Sequence, residues 1–169
     1  MPDPDERPTT PWSTFASAAP KLAGDIAARF QATGLCLMGT LRADGFPRIS
    51  PVEPLIHSGQ LYLGMMWQSY KGLDLLRDPR VLVHTTIADK NGTEGEGKVY
   101  GRAVVIDGEE KRAFARACKE ETGYFPDESP FHLFAVDITQ TGWVKVEGDQ
   151  MRTRRWRPGD GEPELIVRA

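Results

Sequence analysis

Seventeen glycines and thirteen prolines punctuate these 169 residues, and that punctuation limits what the chain can build. Glycine lacks a Cβ and loses much entropy when ordered; proline has a fixed φ and no N–H to donate. Breakers this frequent leave little room for long helices, whereas strands of about five or six residues fit between them. The apolar runs lie in those intervals, so the chain is expected to fold mainly as short strands joined by turns.

The segments can be read in order. Residues 1–12, MPDPDERPTTPW, hold four prolines among charges and threonines, the composition of a flexible N-terminal arm. From Ser13 to Gln31, Leu22, Ile26 and Phe30 recur every four residues and predict one helix, with Gly34 placed for a left-handed cap. LCLMGTL (35–41) and FPRISPVEPLI (46–56) flank Asp44-Gly45, a strong hairpin signal. QLYLGMMW (60–67) follows His57-Ser58-Gly59, so the three strands read as an antiparallel meander. Prolines 47, 51 and 54 cannot donate to a ladder, which puts the middle strand at an edge or a bulge. SYKGLDLLRD (69–78) reads as a short helix capped by Ser69, with Leu73 and Leu76 inward and Pro79 as its stop. Further strands are expected over 81–88, 98–106, 131–146 and 150–158. A helix over 108–122, ending at Gly123, lies among them. The sum is a single domain, 13–169, of α+β class and mainly β. Its six or seven antiparallel strands form a small barrel with two or three flanking helices.

Several function classes are set aside by the same residues. A net charge of −3 is unlike the basic surface of a nucleic-acid binder. The arginines of Met151–Arg157, with Trp156 among them, therefore read as a barrel strand reaching solvent or an interface. No apolar run approaches the roughly 18–20 residues of a membrane span, and residues 1–12 lack the features of a secretory signal. Cys36 and Cys118 match no metal or redox spacing, so a cytoplasmic location is expected. His57, His84 and His132 show no ligand spacing, and no metal site is expected. No Gly-x-Ser-x-Gly elbow occurs, and no catalytic residue is nominated.

The chemistry-bearing pattern is Arg48-Ile49-Ser50 followed about twenty residues later by Ser69-Tyr70-Lys71. Alternation puts Arg48 and Ser50 on one face of a strand. Ser69 and Lys71 stand at a helix start, where free backbone N–H groups and the positive end of the dipole favour an anion. A hydroxyl adds a donor, Arg48 can bridge two oxygens and Lys71 contributes charge. Together they read as a phosphate site. The plainer alternative leaves Arg48 and Lys71 as solvated charges and Ser69 as a cap only.

The order GTLRADGFPRISPV, LYLGMMWQSYKGLDLLRDPRVLVHT and VYGRAVVI, spanning Leu35 to Ile106, resembles the pyridoxamine 5′-phosphate oxidase-like family of FMN-binding split β-barrels. The resemblance implies that Arg48 and Lys71 contact a flavin phosphate, assisted by Ser69, with Tyr70 between them. Ser50 is the next candidate for the phosphate or ribityl chain. The strand carrying Arg48, Ile49, Ser50 and Pro51 would lie along the isoalloxazine ring, and Gly64 and Met65 would touch the ring from their backbone. It further implies a homodimer with the cofactor at the subunit interface, and hydride transfer between FMN and a small-molecule substrate. F420 on the same barrel and a non-catalytic flavin- or haem-binding module are the alternatives. Two departures stand out. Pro51 removes an N–H from the ring-facing strand, and residues 151–157 do not reproduce the Arg/His pattern of authentic pyridoxamine phosphate oxidases. Vitamin B6 oxidation is therefore not expected.

Overall fold

The computed structural model describes residues 8–122 and 129–169. Residues 1–7 of the expected arm, and Gly123 as the expected helix stop, lie outside that range. Residues 9–13 are stitched to the body of the protein. The Thr10 N–H donates to Asp137 Oδ1 at 2.9 Å, the Ile138 N–H donates to the Thr10 carbonyl at 3.0 Å, and Trp12 is buried.

The single helix expected over 13–31 is two. Helix α1 spans Trp12–Ala18 and α2 spans Pro20–Thr33, because Ala19 leaves helical geometry (φ −136°, ψ 63°) just before Pro20 opens the second helix. A proline is well placed at a helix's first position and poorly placed inside one. Gly34 closes α2 in the left-handed conformation, its N–H donating to the Phe30 carbonyl. Phe15, Leu22 and Ile26 are fully buried, and Phe15 packs against Trp156 with ring centroids 5.1 Å apart.

Among the described residues there are nine strands where six or seven were expected, and four helices where two or three were. The strands are β1 (Cys36–Leu41), β2 (Pro47–Val52), β3 (Pro54–His57), β4 (Gln60–Met66), β5 (Arg80–Thr85), β6 (Glu96–Val105), β7 (Phe131–Glu147), β8 (Gln150–Trp156) and β9 (Glu164–Arg168). Helices α3 (Tyr70–Arg77) and α4 (Gly108–Thr122) complete the set. All strand pairs are antiparallel, in the order β2-β1-β5-β6-β7-β4-β3, and β8 and β9 branch from β7.

Two of the differences have one cause. The run 46–56 is not one strand of a meander, because it changes partners at Glu53. Pro47–Val52 pairs with β1, from Leu41↔Pro47 to Cys36↔Val52, and Pro54–His57 pairs with β4. The two ends of the sheet are thus consecutive in sequence but not hydrogen-bonded to each other, and the barrel stays open between them. β7 spans seventeen residues and holds the rest together. One of its edges pairs with β6; along the other, its first part pairs with β4 and its last part with β8.

The main core lies between the helices α1–α2 and the sheet, and a smaller cluster of Tyr62, Val104, Ile106, Phe114, Leu133 and Ala135 sits under α4. Each fully buried large side chain here contributes about 1.5–3 kcal/mol through water exclusion. At the β6–β7 bulge between Tyr100 and Gly101, a Cβ on Gly101 would stand 2.4 Å from the Asp137 carbonyl oxygen. Backbone cannot yield as a side chain does. Gly101→Ala is expected to lower stability by about 2 kcal/mol, read as an earlier midpoint in urea unfolding.

Candidate functional site

β2 alternates as its sequence predicts. Arg48 and Ser50 are half-buried beside Thr40 and Met38 of β1, while Pro47, Ile49 and Pro51 are exposed. The following helix, α3, packs on β1 and brings its first turn to the same place.

Asp74, in the second turn of α3, joins these elements and is only 3% exposed. Its Oδ2 accepts from Thr40 Oγ1 at 2.9 Å and from Arg48 Nε at 2.7 Å. Its Oδ1 accepts from Arg77 Nη2 at 3.2 Å, and the same nitrogen donates to the Leu41 carbonyl. Burial alone would push the Asp74 carboxyl up. The hydrogen bonds from Arg48, Thr40 and Arg77 outweigh it and hold the group below the ordinary carboxylate range.

The remaining predicted residues fall around this carboxylate. The Arg48 guanidinium lies over the Tyr70 ring, 5.2 Å from its centroid. Lys71 Nζ donates to the Pro51 carbonyl at 3.0 Å, which ties α3 to the outer edge of β2. Ser69 is the N-cap residue of α3, but its hydroxyl makes no cap bond. Ser69 Oγ is buried, and no described residue hydrogen-bonds to it. A hydroxyl in that condition costs free energy unless something outside the chain answers it.

Gly64 and Met65 sit across the opening, on β4. Their pairing with Leu133 and His132 occupies the β7 side, and β3 stops at Pro54↔Leu63. Beyond Leu63, therefore, no described strand covers the other edge of β4. A Cβ on Gly64 would meet the Phe114 ring at 3.3 Å, and the Met65 side chain is buried in the core. Only their backbone is offered to a ligand. The structure thus gathers Arg48, Pro51, Tyr70 and Lys71 beside β2, and it places Ser69 in the turn that leaves β4, where its N–H donates to the Met66 carbonyl at 3.1 Å, next to Gly64 and Met65 on that strand. Ser50 shares the Arg48 face, and Ile49 points outward, 72% exposed.

Thr40, Asp74 and Arg77 were not found by sequence reasoning. The inward face of α3 was found in part: Leu76 packs against the core as expected, but Gly72, Asp74 and Leu75 are the buried residues and Leu73 is exposed rather than inward. The only signal was the Lys71-x-x-Asp74-x-x-Arg77 spacing, which puts a carboxylate one turn from each of two cations. His84 has its Nδ1 2.7 Å from the Thr85 carbonyl oxygen. The arginine cluster is compensated by acids. Arg152 and Arg154 stand 3.2 and 3.3 Å from Glu147 and Asp25, Arg155 pairs with Glu164, and Arg157 Nε donates to Gln140. The first two wall a charged cleft of about 230 Å³ between α2 and β7–β8, away from the split.

An open antiparallel barrel with two unpaired strand edges and a basic, hydroxyl-bearing helix start between them defines the split β-barrel class. Solved structures share the fold. A pyridoxamine 5′-phosphate oxidase-related, FMN binding protein from Nostoc punctiforme superposes with a TM-score of 0.66 at 13% identity, covering 89% of this chain and 95% of that one. PhzG from Burkholderia lata, in complex with tetrahydrophenazine-1-carboxylic acid, gives 0.64 at 13% identity, with 88% of each chain covered. A heme binding protein from Mycobacterium smegmatis gives 0.61 at 22% identity over 79% of this chain, which spans only 57% of that protein. No curated protein matches the sequence. The Pyridoxamine 5'-phosphate oxidase family profile matches residues 22–145. The chain belongs to that family.

Asp74 gives the site its first test. Asp74→Asn should destabilise the fold by about 3 kcal/mol, as removal of one partner from a buried ion pair does. In the unaltered protein the group's folded pKa lies below its unfolded value of 3.8. Its stabilisation is therefore complete above about pH 4 and is lost as pH falls through the folded value. Urea midpoints across pH 2.5–6 should show a steeper acid decline in the parent than in Asp74→Asn.

Proposed function

We propose that this protein is a flavin-binding oxidoreductase that holds FMN in the split of the barrel, with its phosphate at the start of α3. The observation that carries this reading is the buried, unanswered hydroxyl of Ser69, two residues before Lys71, whose Nζ reaches the β2 strand that bears Arg48. The residues fit a phosphate. The first N–H groups of α3 have no intrahelical acceptors, and the Arg48 and Lys71 cations exceed the local acid, since Asp74 also holds Arg77. Asp74 aligns the Arg48 guanidinium through Nε, and no described residue accepts from its Nη atoms. The free edges of β2 and of residues 64–66 are suited to line a flat ring system, and backbone groups there would orient it.

A bound flavin supplies hydride transfer at its central ring. The chain's task is to bind, orient and exclude water. Shelter for the ring is incomplete in one copy: Ile49, Met66 and Tyr70 are 72%, 79% and 74% exposed around the opening. A large apolar patch of this kind favours a partner, and a second copy of the chain that closes both sites is part of the proposal. The absorption spectrum and mass of the ligand released from purified protein identify the cofactor directly. FMN supports the reading, F420 moves it to a deazaflavin reductase on the same site, and haem overturns it.

Ser69→Ala separates a ligand group from a structural one. The hydroxyl caps nothing, so the ligand-free variant should be as stable as the parent or slightly more so. Its FMN affinity should nevertheless fall about fivefold to tenfold, the worth of one hydrogen bond to a charged group. Lys71→Ala should cost a similar factor or more, and the double variant about a hundredfold, measured by quenching of flavin fluorescence.

A further inference from the structure

The turn that delivers Ser69 to the site is bent at Gln68, which holds a left-handed backbone conformation (φ 59°) uncommon for a residue with a side chain. It is held there by His132, sixty-four positions along the chain. The Gln68 N–H donates to His132 Nε2 at 3.1 Å. The Trp67 ring stacks on the imidazole with centroids 4.4 Å apart and planes 22° from parallel. Gly72 closes the other side so tightly that a Cβ there would stand 2.7 Å from His132 Cδ2. The imidazole, 6% exposed, is thus clamped between the turn and the first turn of α3.

An Nε2 that accepts a hydrogen bond carries no proton. We infer that His132 is a positioning residue for the anion site: its neutral ring fixes residues 67–72, and its protonation releases them. The claim about the ligand rests on the phosphate reading above; the claim about the turn does not. Adding a proton to Nε2 turns the acceptor into a donor facing the Gln68 N–H, so the bond is exchanged for a repulsion. Ser69 and the α3 amides then lose their fixed direction.

The surroundings set the sign of the titration. α3 faces the ring with Gly72, the turn with Trp67 and Gln68, and β7 with Phe134, none of them titratable, and the charge acting on it is Lys111 of α4. Burial first, and Lys111 second, hold the His132 pKa below the ordinary 6.5. The unfolded chain therefore takes up this proton before the folded one, and the lock is intact at neutral pH and weakens in mild acid.

The test uses the full-length protein and His132→Gln, whose amide oxygen supplies an acceptor that does not titrate. In the ligand-free parent, protection of the Gln68 amide against hydrogen exchange, normalised to the intrinsic rate, should fall at least fivefold between about pH 7.5 and pH 5. In His132→Gln it should stay level. FMN affinity in the parent should drop about fivefold to tenfold more over that interval than in His132→Gln, so that titration of the FMN phosphate itself cancels from the comparison. Protection that does not change with pH in the parent overturns the lock. Protection that titrates while FMN affinity follows one pH profile in both proteins overturns its control of the site. Titrating protection with no FMN binding at any pH supports the lock and sinks the flavin reading instead.

Discussion

One buried carboxylate aims the arginine on which the basic region depends. Arg48 and Lys71 are cations on different elements, and left alone they would repel each other and swing out to water. Asp74 takes the Nε edge of Arg48, a hydroxyl from β1 and a nitrogen of Arg77, so strand, helix and side chains are fixed by a single group. A carboxylate so enclosed is tolerated only because every one of its bonds comes from a donor, two of them charged. The effect is to trade flexibility for direction: the arginine is half-neutralised but aimed.

The openness of the barrel has the same economy. Closing the sheet would satisfy every strand edge and leave no backbone for recognition. Here β3 ends after four residues and β2 pairs with β1, so among the described residues two short stretches of edge remain without a strand partner beside the split. The long β7 makes this affordable, because it joins β6, β4 and β8 in one ladder and keeps the barrel rigid around its opening.

Much of this could be read from residues alone, and what could not has a physical reason. The Asp44-Gly45 hairpin, the shared face of Arg48 and Ser50 and the start of α3 follow from local rules of turns, alternation and capping. The change of partner at Glu53 does not, since a strand's neighbours are decided by the rest of the sheet. The break at Ala19 was signalled by Pro20, but the apolar four-residue repeat ran straight through it. β9 has an exposed, weakly patterned face and gave no clear period. Asp74 was the hardest, because a buried acid looks like a surface acid until its donors are known, and two of them lie thirty-four and twenty-six residues upstream. His132 was hidden for the same reason.

The two terminal strands of the sheet, β2 and β3, belong to a single stretch of chain that passes from one to the other through Glu53. The gap behaves like a clasp: Glu53 spans it in front, while behind it the same two strands are joined through β1, β5, β6, β7 and β4, so its gauge follows the twist of that ladder. A barrel of this plan is fitted to a wider or narrower guest only by changes that run along the ladder as well as through the link.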